Sequence, residues 1–200
     1  MKQNHYLFLL IAIVFSLSFY VSAQPQRKDN PCYPKTGCAL DLGAGVTIIG
    51  NAMNQDFYHS FAAGIRIMHH FKTRFGIDFV KMNLSSPFNE LDYPKLMNLQ
   101  FLTGVRLYSR NFYKCMNVYG ALRLGYGFHF VNTSSHGLVV ETEVGINLNR
   151  TFYLALSYNL LSSFNKEKKQ GYGNYYYYED VIVATTYNTC ALRIGFNFGK

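Results

Sequence analysis

From Cys38 to the C-terminus, apolar residues recur at every second position through eight successive segments, and this period constrains the chain more than any other feature. Successive side chains of a β-strand point to opposite faces, so a segment of this kind is a strand with one apolar and one polar face. The first, ALDLGAGVTII, sets Leu40, Leu42, Ala44, Val46 and Ile48 against Asp41, Gly43, Gly45 and Thr47. The second sets Phe61, Ile65, Ile67, His69 and Phe71 against Ala62, Gly64, Arg66, Met68 and His70. A third, from Arg74 to about Met82, sets Phe75, Ile77 and Phe79 against Gly76 and Asp78. Five more occupy residues 99–107, 117–129, 138–148, 152–160 and 192–198, and their minority face carries Arg106, Arg123, Glu141, Glu143 and Arg193.

The composition of the two faces decides what surrounds them. The majority face is almost uncharged, whereas the minority face holds glycine and isolated charges, too few to wet an exterior. Apolar residues outside and polar ones inside describe a sheet in lipid, and only a closed barrel leaves no backbone edge unpaired in hydrocarbon. A soluble barrel of the lipocalin kind would have the faces reversed. Connections support the same reading: those after the second, fourth and sixth segments are short, while residues 50–55, 83–95, 132–136 and 162–180 form the others. Short turns on one side and longer loops on the other suit an outer-membrane barrel with its loops outside.

The start of the chain gives an address. Lys2 precedes the apolar run YLFLLIAIVFSLSFYV, which closes on Val21-Ser22-Ala23. This reads as a secretory signal peptide, residues 1–23, cleaved near Ala23. It is followed by a short periplasmic segment, residues 24–37, and the barrel, residues 38–200. Removing Lys2 lowers the formal net charge from +8 to +7. The positive charges form no basic stripe, so nucleic acid is not an expected partner, and acidic lipid or glycan surfaces are a better use of them. Cys32, Cys38, Cys115 and Cys190 fit an oxidising compartment with three connectivities open. Proximity in sequence favours Cys32 with Cys38.

The closing stretch LRIGFNFGK alternates and finishes on Phe196 and Phe198 before Gly199 and Lys200. It resembles the C-terminal signal by which outer-membrane proteins engage the barrel assembly machinery. The chain from about Cys38 resembles the small eight-stranded outer-membrane barrels, of the OmpX and OmpA-transmembrane-domain type. The resemblance implies an all-β, antiparallel, up-and-down transmembrane barrel in the outer membrane of a Gram-negative bacterium, a monomer in contact with outer-membrane lipids and lipopolysaccharide. It carries a fold and a location, not a reaction.

Inside such a barrel the phase places Asp41, Arg66, Asp78, Arg106, Arg123, Glu141, Glu143 and Arg193, four cations with four anions. An eight-stranded lumen is just wide enough to be filled by side chains, and buried charges persist there only when paired. A sealing ion-pair network is therefore expected, not a pore.

No catalytic, cofactor or metal constellation emerges, so no cofactor and no enzyme activity is expected. The competing reading is a lipid-modifying enzyme of the lipid A deacylase or acyltransferase kind, using His59-Ser60 or Ser134-Ser135-His136. Adjacent strand residues point to opposite faces, and neither group has the expected spacing. His69-His70 would split between lipid and lumen in the same way. Gly125-Tyr126-Gly127 and Gly43-Ala44-Gly45 are followed by no helix that would make them phosphate loops. An aromatic girdle is expected at Phe57, Tyr126, Tyr158 and Tyr187. The signals left over lie in the loops, above all GYGNYYYYED, whose Tyr175, Tyr176, Tyr177 and Tyr178 suit either an extended hairpin or contact with a glycan or protein ligand.

Overall fold

The fold was obtained as a computed structural model that describes residues 36–50, 55–71, 74–87, 97–129, 136–170 and 178–199. Eight strands follow in chain order: β1 Gly37–Gly50, β2 Gln55–His70, β3 Phe75–Pro87, β4 Asn98–Tyr108, β5 Asn117–His129, β6 His136–Asn147, β7 Phe152–Gln170 and β8 Tyr178–Gly199. Each pairs antiparallel with the next, and β1 pairs with β8 to close the barrel. The 23 residues of the expected signal peptide, Cys32 and Tyr175 to Tyr177 lie outside the described residues.

The faces fall as the composition requires of a barrel in lipid. Leu42, Ile65, Leu124, Leu138, Leu192 and Ile194 are exposed on the outside, whereas Arg66, Arg123, Glu141 and Arg193 are fully buried within. Among the described residues of the wall, no charge on the outer face has to be desolvated by hydrocarbon, and each buried charge has neighbours to pair with.

The third strand departs from simple alternation. Its pairing with β4 jumps from Asp78↔Gly104 to Lys81↔Leu102, so Phe79 and Val80 together stand opposite Thr103. This β-bulge turns two successive side chains outward, Phe79 at 55% and Val80 at 42% exposure, and brings Lys81 inside at 0%. A bulge leaves ladder groups unpaired, which is costly in a bilayer. Here the Thr103 hydroxyl donates to the Asp78 carbonyl at 3.0 Å. The strand then continues to Pro87, beyond the expected end near Met82, with Asn83 and Ser85 facing inward.

The last hairpin is also longer than expected. Residues 162–180, read as a loop, are mostly strand: β7 and β8 remain paired from Phe152↔Phe196 to Gln170↔Tyr178. Tyr187, expected in the outer girdle, is 8% exposed and packs inside with Leu102, Val139 and Leu161. Its odd position matches Arg193 and Asn197, which face the lumen, so the register overrides the preference of tyrosine for an interface.

Cysteine pairing differs as well. Cys115, in the β4–β5 turn, is disulfide-bonded, while Cys38 and Cys190 are exposed free thiols. Cys38 is therefore not joined to Cys32, and the reason is directional: it projects from the outer face of β1. Denatured, unreduced protein should alkylate at Cys38 and Cys190, and at Cys115 only after reduction. Peptide mass mapping reads this directly, and labelling of Cys115 without reductant would contradict it.

Thr103→Val removes the hydroxyl that bonds the Asp78 carbonyl at the bulge. The expected cost is about 0.5–1.5 kcal/mol in urea-titrated unfolding in lipid vesicles. An unchanged midpoint would show that the hydroxyl does not hold the bulge.

Candidate functional site

The lumen holds two linked ion clusters. At the centre of the larger is Glu143. Its Oε1 accepts from the Tyr119 hydroxyl at 2.9 Å, Arg66 NH1 at 3.2 Å and Arg123 NH2 at 3.3 Å. Its Oε2 accepts from Lys81 Nζ at 2.9 Å and Arg123 NH1 at 3.2 Å. Glu141 receives Lys81 at 2.7 Å and a close contact from Arg123 NH1. Asp78 Oδ2 receives Arg106 NH2 at 3.0 Å and Arg123 Nε at 2.6 Å. Arg123 thus bridges three carboxylates, a role suited to a planar fork of donors.

The smaller cluster is built on Asp41, paired with Arg193 NH1 and accepting the Tyr153 hydroxyl at 3.1 Å. Arg193 also donates to Ser157 Oγ at 2.7 Å and to Asn83 Oδ1 at 2.8 Å. Asn83 passes the connection to Gln100 at 2.9 Å. Tyr153 joins the clusters, because the Arg66 guanidinium lies 4.4 Å over its ring while its hydroxyl reaches Asp41. Stacking over tyrosine is repeated where Arg106 lies 4.6 Å over Tyr119.

All eight charges expected inside are buried, and each makes an ion pair. Lys81 is the ninth, a fifth cation against four anions. Strict alternation from Asp78 points Lys81 outward, and only the bulge reverses it. The signal was present in the sequence: Phe79 and Val80 are adjacent apolar residues, and Lys81, Asn83 and Ser85 then alternate in the opposite phase.

Three tyrosines also escaped the sequence reading. Tyr108, Tyr119 and Tyr153 form a buried floor with Ala39 and Ala155 at the short-turn end. Two of them sit directly opposite glycines in the ladder, Tyr119↔Gly145 and Tyr153↔Gly195. Each ring lies across its glycine: a Cβ on Gly145 would stand 2.5 Å from Tyr119 Cζ, and one on Gly195 would overlap the Tyr153 ring. At the other end Leu102, Val139, Leu161 and Tyr187, with Ile49 against them, make an apolar layer. The charged band is enclosed between two bulky layers, an arrangement suited to sealing.

The remaining candidates are dispersed. Ser60 is buried, whereas His59 is exposed on the opposite face; Ser134 and Ser135 lie outside the described residues. His69 Nδ1 lies 3.1 Å from Thr36 Oγ1 and its ring meets Phe71 edge-on, while His70 turns inward against Tyr108. His136 contacts the Tyr126 hydroxyl on the outer surface near the longer-loop end. Among the described residues no three His, Cys, Asp or Glu side chains form a metal cluster. Phe198 faces outward at the end of β8, and Phe196 packs between it and Phe152. Tyr178 opens β8 opposite Gln170.

Glu143→Gln removes the carboxylate that pairs with Arg66 and one partner each of Lys81 and Arg123, and should cost about 3–5 kcal/mol. Lys81→Met leaves four anions facing four arginines and should cost less than half of that. Urea unfolding of both variants in vesicles checks the order; equal losses would show that Lys81 is not a surplus cation.

No protein-family model matches the chain, and no curated protein matches it in sequence. Solved structures do. Neisserial surface protein A (NspA) aligns with a TM-score of 0.52 at 8% identity, covering 82% of this chain and 98% of that one. Ail, the attachment invasion locus protein of Yersinia pestis, aligns at 0.44 and 15% identity, covering 82% and 99%. OprG from Pseudomonas aeruginosa aligns at 0.44 and 13% identity, covering 85% and 100%. At such identities the likeness to NspA bears on the fold. The closed eight-strand ladder with its apolar exterior gives the chain the fold of the small eight-stranded outer-membrane barrels.

Proposed function

We propose that this protein is a non-enzymatic outer-membrane barrel, closed to solutes, that acts in surface contact or envelope structure through a hairpin projecting from the barrel on the extracellular side. The observation that carries this reading is where the ladder ends. β6 last pairs with β7 at Gly137↔Ser163, and β1 last pairs with β8 at Gly50↔Thr186. β7 and β8 nevertheless stay paired through Gln170↔Tyr178. Beyond its neighbours this pair is a two-stranded ribbon, and at about 3.3 Å per residue it extends roughly 25 Å.

The sequence suits such a ribbon. Its register sets Lys168 opposite Asp180 and Lys169 opposite Glu179, and opposite charges at facing positions favour one register. The connection at its tip carries Tyr175 to Tyr177, with Tyr178 beginning the return strand. Tyrosine offers a rigid amphipathic surface for glycan or protein ligands, and lysines along a ribbon discourage unwanted edge pairing. The enclosed, ion-paired lumen supports closure to solutes.

One observation favours an enzyme instead: the contact between the Tyr126 hydroxyl and His136 lies at the outer rim, where a lipid substrate would be within reach. Mass spectrometry of lipid A from cells with and without the protein separates the two readings. An unchanged lipid profile is expected, and a shifted acyl pattern would support the enzyme.

An epitope inserted between Tyr172 and Asn174 should bind antibody on intact cells, and the tagged barrel should keep heat-modifiable migration. Reactivity only after envelope disruption would place the ribbon inside. In planar bilayers purified protein should show no discrete conductance, and stepwise currents would overturn the closed lumen.

A further inference from the structure

The two ends of the barrel differ in charge. Residues 71–74, 109–116 and 148–151, the three short connections, contain Lys72, Arg74, Arg110, Lys114 and Arg150 and not one Asp or Glu. At the other end, residues 51–54, 88–97, 130–135 and 171–177 carry Glu90 and Asp92 against Lys95. The overall positive balance of the chain is therefore concentrated at one rim.

This rim is also aromatic. Phe71, Phe112, Tyr113, Phe152 and Phe198 are all exposed there. Lys114 Nζ lies 5.4 Å over the Tyr113 ring, in a turn closed by Met116 N donating to the Tyr113 carbonyl at 2.6 Å. Aromatic rings at this level mark the boundary between hydrocarbon and headgroups. The cations share that level: Lys114 and Arg150 are exposed, and Arg74 and Arg110 are half-buried beside the strand ends.

We propose that the short-turn rim is a collar that selects anionic glycerophospholipid from the leaflet it meets. The rings place acyl chains against the barrel wall, and guanidinium and ammonium groups then face the phosphate and the net negative headgroup. An acidic polymer lying below the membrane plane, such as the stem peptides of the cell wall, would meet Lys114 and Arg150. It would approach Arg74 and Arg110 less readily, since they are partly covered at the barrel edge. The proposal rests on the chain lying in a bilayer but not on which end faces the cell exterior. A measurement in defined bilayers therefore succeeds or fails independently of the extracellular ribbon.

The test uses the whole refolded chain in phosphatidylcholine bilayers with trace spin-labelled phosphatidylglycerol or phosphatidylcholine, reading the motionally restricted component at the protein surface. At low salt the anionic lipid should be favoured about twofold or more, falling toward parity near 1 M salt as the charges are screened. Arg74→Gln/Arg110→Gln/Lys114→Gln/Arg150→Gln should bring the ratio to parity, whereas Lys166→Gln/Lys168→Gln/Lys169→Gln should leave it unchanged. If the quadruple variant loses heat-modifiable migration, Lys114→Gln and Arg150→Gln alone, both at exposed positions, should each lower the preference. Parity in the unaltered chain, or a preference that survives the rim substitutions in folded protein, overturns the proposal. So does parity accompanied by binding to purified cell-wall sacculi that the rim substitutions abolish, which would assign the collar to the wall.

Discussion

Pairing of β1 with β8, from Gly37↔Gly199 to Gly50↔Thr186, is the interaction on which the other features depend. In hydrocarbon an unpaired backbone amide or carbonyl has no water to turn to, so a sheet with open edges is not a stable object there. Closure removes both edges at once and fixes which residues face inward. The strand order then follows the chain without a crossover, and a small barrel can form from local hairpins and one long-range contact between the ends of the chain.

Closure at eight strands also sets the chemistry of the interior. An interior of eight strands is just wide enough for side chains to fill, and alanine and glycine alone would leave it empty, so long side chains are needed. Here they are arginine, lysine and tyrosine in layers. Charge is tolerated because each carboxylate meets several donors, Glu143 most of all, and because arginine also stacks on Tyr119 and Tyr153. The glycines opposite those tyrosines belong to the same solution. Space released at Gly145 and Gly195 is space the rings occupy.

The barrel and most of its interior were legible because alternation records a difference between two environments. Arg66, Arg123 and Arg193 sit in uninterrupted runs, so counting by two from any lipid-facing neighbour places them. Lys81 was lost because the count fails at Phe79 and Val80. Tyr187 was misplaced by residue type, although counting back from Leu192 gives its side. The upper part of β7 and β8 reads as loop for a physical reason: past the last rungs of β6 and β1 a two-stranded ribbon has no inside and outside to tell apart, so nothing imposes a period of two. What persists there is register, visible only once Lys168 is set against Asp180 and Lys169 against Glu179. Cysteine pairing was hidden differently, since six residues of separation say nothing of the face from which Cys38 projects.

The bulge in β3 behaves like a frameshift written in three dimensions. Upstream of it inward positions are even-numbered, as at Gly76 and Asp78; downstream they are odd, as at Lys81, Asn83 and Ser85. Deletion of Val80 would take out the bulge itself: Phe79 alone would face Thr103, and Lys81 would stay inward in a regular alternation. Deletion of Met82, past the bulge, would instead turn the remainder of the strand through half a rotation, present the Asn83 amide to acyl chains and draw Leu84 into the lumen. Length in this strand is therefore adjustable at the bulge and unforgiving along the rest of its described course.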